Sequence, residues 1–265
     1  MTRDKTRQPE AMVRTIRQFL REASSVTVLT GAGISAESGI PTFRDALTGL
    51  WAKYDLMELA TPQAFVRDPA LVTRWYDERR CKCAECEPNP GHLALARLER
   101  DLEAAGKGFT LITQNVDRLH QRAGSRHPLE LHGTLWVWRC TSCGEEREER
   151  QVPFPEHPPR CGCGGMRRPG VVWFGETLPE PVLAAAWRAT EGCELFLSLG
   201  TSSLVEPAAS LGRVAAAAGA KTVEINPRET PLSSQVDVSL RGTTGALLPI
   251  IVETTVDRPV PRSME

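Results

Sequence analysis

The chain has 265 residues, 41% hydrophobic and 25% charged, which suits an ordinary globular protein of one large or two smaller domains. Its 32 basic and 33 acidic side chains leave a net charge of −1, which removes any general electrostatic drive towards nucleic acid or an anionic membrane. The polar start MTRDKTRQPE has no apolar signal core, and no apolar run reaches the roughly 18 residues of a membrane span, so a cytoplasmic protein is expected.

Residues 1–10 are expected to fray, and a first helix is predicted over about residues 10 to 23. VTVLTG (26–31) is a short β-branched run ending in glycine, the pattern of a buried parallel strand. Residues 41–90 carry aromatic residues and prolines but no core strand. Within them, DPALVTRWYDERR (68–80) predicts a helix with Asp68 as N-cap and Pro69 at its first position. Val72, Tyr76 and Arg79 fall on one face of it, with Trp75 at the border. Asp77, Glu78 and Arg80 are expected as solvated charges. HLALARLERDLEAAG (92–106) predicts a helix and FTLITQN (109–115) a second buried strand. Residues 136–170 break the rhythm with four cysteines, prolines and the charge run EEREER. PVLAAAWRA (181–189) and ASLGRVAAAAGA (209–220) predict helices, and CELFLSLG (193–200) and KTVEIN (221–226) strands. Strands alternating with helices argue for an α/β fold with a parallel sheet, and the two irregular stretches for a smaller lobe.

Gly31-Ala32-Gly33-Ile34-Ser35-Ala36 fits G-x-G-x-x-G/A directly after a predicted strand. Small residues there let the backbone approach a pyrophosphate and turn N–H groups towards it. A plain tight turn is the competing reading, and Gly39-Ile40-Pro41 leaves room for only a very short crossover helix. Eight cysteines in a cytosolic chain point to metal, catalysis or free thiols before disulfides. Cys140-x-x-Cys143 and Cys161-x-Cys163 read as four thiolate ligands of one structural zinc, although the second pair is tighter than usual. Cys81, Cys83 and Cys86 could form a second metal or redox site, but they lack a fourth nearby ligand, His92 following only at a distance, so free thiols in a loop are expected, and Cys193 as a buried thiol.

GAGISAESGIPTFRD (31–45), TQNVDRLH (113–120), LHG (131–133), VVWFGE (171–176), GTSSLVEP (200–207) and INPRET (225–230) occur in this order, and together they resemble the sirtuins. The resemblance runs from about residue 24 to 250 and implies an NAD-dependent protein lysine deacylase acting on acylated-lysine proteins. It implies a Rossmann-like NAD-binding domain (11–40, 91–134, 171–255) and a small lobe made of a helical insertion (41–90) and a zinc-binding insertion (135–170), with tails 1–10 and 256–265. A monomer is expected.

The same resemblance implies the site residues. His132 would be the general base on a ribose hydroxyl as the acyl group passes towards O-acyl-ADP-ribose, and Asn115 would assist at the nicotinamide end. Gly31, Ala32, Gly33, Ile34, Ser35, Thr42, Phe43, Arg44, Gln114, Asn115 and Asp117 would hold the nicotinamide, ribose and pyrophosphate side of NAD. Gly200, Thr201, Ser202, Asn226 and Thr244 would hold its adenosine side. Arg118 stands where many members have glycine. Val172, Trp173 and Phe174 would meet the substrate peptide as an added strand, with an internal core strand as the competing reading. Tyr76 and Arg79, with the small Ala60, resemble the branch that removes succinyl, malonyl and glutaryl groups: the guanidinium grips a carboxylate, the phenol adds a bond and Ala60 leaves room. Deacetylation as the main activity, protein ADP-ribosylation and a non-enzymatic zinc-ribbon module are the alternatives.

Overall fold

The computed structural model describes residues 7–41 and 55–253. Helix α1 (Arg7–Glu22) leads into strand β1 (Ser25–Thr30), and the glycine loop follows with α2 (Gly33–Ala36), a helix of only 4 residues. The short crossover expected from Gly39-Ile40-Pro41 is therefore present. The chain then forms α3 (Pro62–Arg67), α4 (Pro69–Glu85), α5 (Pro90–Ala104), β2 (Gly108–Thr113), α6 (Leu119–Arg122) and β3 (Leu129–Glu130). Strands β4 (Gly133–Cys140), β5 (Glu146–Glu148) and β6 (Arg167–Val171) come next. Helix α7 (Glu180–Glu191), β7 (Leu195–Leu199), α8 (Leu211–Ala217), β8 (Lys221–Asn226), β9 (Val238–Arg241) and α9 (Thr244–Val252) complete the described residues.

Six strands form one sheet in the order β3-β2-β1-β7-β8-β9, every pair parallel. The β-branched and leucine runs of these strands bury side chains on both faces, as a parallel sheet covered by helices requires. Val26 and Val28 of β1 pack with α1, α5 and α9 through Ile16, Leu20, Leu95, Leu98 and Leu248. Leu29, the next residue, faces the other way and joins Phe196 with Ala186 of α7 and Leu211 and Ala215 of α8. The connection leaves β1 towards β2 on one side, while β7 and β8 build the other side. Such a switch point opens a crevice at the carboxyl ends of the strands.

The second sheet, β5-β4-β6, is antiparallel. Helix α4 starts as its sequence predicts: Asp68 caps it by accepting from Leu71 N at 2.9 Å, with Pro69 in the first turn. Its apolar face joins α3 and the second sheet in one cluster containing Ala60, Phe65, Val72, Trp75, Tyr76, Trp138, Phe154 and Trp173.

Two expectations for this helix fail. Asp77 and Arg80 are not solvated charges but buried ones, 1% and 0% exposed. Arg80 Nη1 donates to Asp77 Oδ1 at 3.0 Å, and its Nη2 to the carbonyls of Glu149 and Gln151 at 2.7 and 2.8 Å. Its guanidinium lies 4.1 Å from the Phe154 ring centre, with Trp138 and Trp136 at 5.5 and 5.7 Å. Asp77 Oδ2 accepts from Phe154 N at 2.8 Å and pairs with His157 Nε2 at 2.9 Å. Charge, hydrogen bonds and aromatic faces together offset the desolvation of the pair. Helix α4 also continues through Cys81 and Cys83, so those thiols sit on a helix and not in a loop. Glu78 is exposed, as expected, and Cys193 is buried.

Candidate functional site

The glycine loop closes against the turn after β7. Gly33 N donates to the Gly200 carbonyl at 2.8 Å, and Gly31 N to the Leu199 carbonyl at 3.1 Å. A Cβ at Gly33 would stand 2.6 Å from the Gly200 oxygen, so no larger residue fits. Gly200 itself has φ +59, a left-handed conformation that favours glycine. Ile34 is fully buried beneath the loop, while Ala32 stays half-exposed at its turn.

Around this loop the predicted polar residues converge. Asn115 Nδ2 donates to the Gly31 carbonyl and to Ser35 Oγ, each at 3.1 Å. Ser35 Oγ donates to Asp117 Oδ2 at 2.8 Å, and Leu119 N to Asp117 Oδ1 at 2.9 Å. Burial raises the Asp117 pKa, and those two bonds and the charges of Arg79 and Arg122 only partly oppose it. Gln114 Nε2 donates to Thr201 Oγ1 at 2.9 Å, and Asn226 Nδ2 to the Thr201 carbonyl at 2.7 Å. The ends of β1, β2, β7 and β8 are thus stitched into one rim. Ser202 is exposed on that rim, and Thr244 is buried at the start of α9. Thr42, Phe43 and Arg44 lie outside the described residues.

His132 sits at the head of β4, half-buried. Its Nδ1 lies 3.1 Å from the Gln114 carbonyl. A carbonyl only accepts, so Nδ1 carries the hydrogen and Nε2 is left as the basic nitrogen. Burial lowers the His132 pKa, with the Gln114 carbonyl opposing it. The imidazole therefore stays neutral, and able to take a proton, at ordinary pH.

The segment 172–174 is anchored at each residue. Val172 N donates to the His132 carbonyl at 2.9 Å, Phe174 N to the Ala60 carbonyl at 3.0 Å, and Trp173 N to Glu176 Oε2 at 2.9 Å. All three N–H groups are used internally. The Tyr76 ring lies 6.3 Å from that of Trp173, and Phe65 lies 5.4 Å from it. Burial pushes the Tyr76 phenol up to about 12, so it is a hydrogen-bond donor and never a phenolate here. The Arg79 guanidinium lies 4.8 Å from the Trp75 ring centre and 6.0 Å from that of Tyr76. Tyr76, Arg79, Ala60 and Trp173 are thereby brought together.

The four cysteines also meet. Cys140, Cys143, Cys161 and Cys163 have their sulfurs within 4.8 Å of one another, the only such ligand group among the described residues. Cys140 and Cys163 are 3.5 Å apart and Cys143 and Cys161 3.7 Å. A tetrahedral site with Zn–S bonds of about 2.3 Å needs sulfurs about 3.8 Å apart, so the group fits zinc. N–H bonds from Cys143 and Ser142 lower the Cys140 thiol pKa. Four protein sulfurs leave no open position, which makes the zinc structural.

Sequence reasoning misses the layer beneath the loop. His92 approaches Ser35 Oγ at 3.4 Å, and its ring lies 4.9 Å from that of His120. His120 Nε2 lies 2.9 Å from Thr30 Oγ1. Asn89 donates to the Ile34 carbonyl at 2.6 Å and forms a capping box with His92 at the start of α5. Only that local spacing, Asn89 followed three residues later by His92, carries a signal.

A parallel sheet with its glycine loop at the switch point, a polar rim and a four-thiol side lobe define a dinucleotide-binding α/β protein with a structural zinc. The sequence matches the Sir2 family over residues 31–207, and the chain belongs to that family, the sirtuins. An NAD-dependent protein deacylase of Methylococcus capsulatus is 49% identical, covering 88% of this chain and 93% of its own. One from Thermus thermophilus is 52% identical over 87% of this chain and 89% of its own. The crystal structure of a Sir2 homologue–NAD complex superposes with a TM-score of 0.84 at 46% identity, covering 94% of each chain. A Sir2 protein with a deacetylated p53 peptide and 3′-O-acetyl ADP-ribose gives a TM-score of 0.81 at 32% identity, covering 92% of this chain and 99% of its own.

Proposed function

We propose that this sirtuin is an NAD-dependent protein lysine deacylase whose acyl pocket favours acidic acyl groups: succinyl, malonyl and glutaryl. The observation that carries the finer part is the meeting of Tyr76, Ala60 and Trp173 in one cluster, with Arg79 beside the Tyr76 ring. A neutral phenol and a guanidinium beside a small residue suit a short acyl chain ending in a carboxylate. Deacylation itself is supported by the relatives and by the convergence of Ser35, Asn115 and Asp117 on the glycine loop.

When bound, NAD supplies a ribose carbon made electrophilic by departure of nicotinamide. Gly31 to Ser35, Gln114, Asn115, Asp117, Gly200, Thr201, Ser202 and Asn226 form the rim that would hold it, with Thr244 beneath at the start of α9. Thr42, Phe43 and Arg44, outside the described residues, are proposed to contact NAD as well. His132 takes a ribose-hydroxyl proton at Nε2, the nitrogen left basic by the Gln114 carbonyl. Val172 to Phe174 flank the acyl-lysine, and their committed N–H groups leave pairing with the peptide to backbone carbonyls. The helical insertion (41–90) and the zinc-binding insertion (135–170) would form the small lobe beside the cleft, a reading supported by the packing of α3 and α4 against the second sheet.

The test uses NAD with matched acetyl-, succinyl- and unmodified-lysine peptides, products being followed by mass spectrometry. Acidic-acyl removal with O-acyl-ADP-ribose formation is expected. ADP-ribosylated protein as the sole product would replace the reading with ADP-ribosyl transfer, and no NAD turnover would end it. Arg79→Met is expected to damage desuccinylation selectively; equal loss of both deacylations would remove Arg79 from acyl selection.

A further inference from the structure

Trp173 is 2% exposed, and its indole N–H is buried without a hydrogen-bond partner. Such a donor is costly, since it has left water and gained no acceptor. The Tyr76 phenol oxygen is near enough for the indole N–H to offset part of the rise in its pKa, but the two do not meet in hydrogen-bonding geometry. The ring is nevertheless held firmly. The Arg168 guanidinium lies 3.4 Å from the Trp173 ring centre, close enough for a cation–π contact. Arg168 is itself fixed by two bonds to Glu176, at 2.6 and 2.9 Å, and Glu176 also accepts from Trp173 N at 2.9 Å. On either side, the carbonyls of His132 and Ala60 hold residues 172 and 174. The stacked cation, Phe65 and Tyr76 pack against the faces and edges of the indole, and none of these contacts uses its N–H.

Resting on the acidic-acyl reading above, we infer that Trp173 is a specificity-determining residue whose indole N–H donates to the distal carboxylate of the acyl group, alongside Tyr76 and Arg79. A carboxylate accepts about four hydrogen bonds, so it has room for a third donor beside a guanidinium and a phenol. An acetyl group ends in a methyl and offers nothing to this donor. The Glu176–Arg168 pair orients the indole and does not touch the substrate.

The experiment compares kcat/KM for succinyl- and acetyl-lysine peptides of one sequence in wild type and Trp173→Phe. The succinyl-to-acetyl ratio is expected to fall about tenfold, the worth of one hydrogen bond to a charged group. A ratio within about twofold of wild type, in an enzyme that prefers succinyl, overturns the role of Trp173 and leaves the acidic-acyl reading standing. A wild type that prefers acetyl overturns both. A second measurement does not depend on the variant folding. In wild-type enzyme labelled with ¹⁵N-tryptophan, the Trp173 indole N–H signal is expected to move downfield with the succinyl peptide and not with the acetyl one. A signal that ignores the succinyl peptide overturns the proposal.

Discussion

Arg80 and Asp77 form an ion pair at 3.0 Å with neither side chain reaching water. Their helix also carries Tyr76 and Arg79, so the pair anchors the residues proposed to select the acyl group to the second sheet. Removing one partner strands the other as an uncompensated buried charge. Arg80→Met and Asp77→Ala are each expected to cost about 3–5 kcal/mol. Urea denaturation with zinc retained measures this, and a loss under about 1 kcal/mol would mean that the pair relaxes into solvent.

His132→Ala is expected to keep NAD binding and lose deacylation by about 10²–10⁴-fold, the range of a positioned general base. Because burial lowers the His132 pKa, its neutral form persists to lower pH than a free imidazole's. The acidic limb of kcat/KM should therefore lie below about 6.5. A limb above that value would assign the titration to another group.

His92 makes acid stability a readout of the layer beneath the glycine loop. Burial pushes its pKa down to about 4. As pH falls below about 6.5, the unfolded chain takes up a proton that the folded imidazole refuses. Stability is thus lost between about 6.5 and 4, by about 3 kcal/mol for this group. Denaturation at pH 7.5 and 4.5 should show a smaller difference in His92→Gln than in wild type. The same difference in both proteins would shift the effect to His120, whose pKa burial also lowers.

Gly33→Ala is expected to abolish NAD binding and lower thermal stability, because the new methyl would stand 2.6 Å from the Gly200 oxygen. Calorimetric titration with NAD checks it. Binding within about twofold of wild type would show that the two turns can separate cheaply.

Metal analysis should find one zinc per chain, held by the four cysteines. Stripping it with a chelator is expected to lower the melting temperature, because sulfurs 3.5–3.7 Å apart lose the ion that joins them. Melting unchanged after complete removal would reduce the zinc to an incidental guest.

Much of this architecture can be read from residue order. The core strands are legible because β-branched and leucine runs end at glycine or at polar turns, as VTVLTG does before the glycine loop. Motifs name the four zinc-site cysteines and the residues gathered at the loop, and the fold brings the described ones together. Arg80 is misread because helix spacing reports only which face a residue takes. It does not report that Trp136, Trp138 and Phe154 arrive on that face from the other insertion, residues 135–170. The place of His92 beneath the glycine loop is missed for a related reason: its meeting with Ser35 and His120 exists only across the fold. Strand β9 and helix α9 give weak local signals, the latter carrying Pro249 within it.

The adjacent residues Arg79 and Arg80 carry the same charge and do different work. One stands over Trp75 and Tyr76, and the other is locked into an aromatic cage. What separates them is a single step of about 100° along α4. Helix register therefore acts here as a reading frame. Deleting one residue between Asp68 and Tyr76 would turn every later side chain by that step, presenting the wrong arginine to the cage and to the proposed acyl pocket at once.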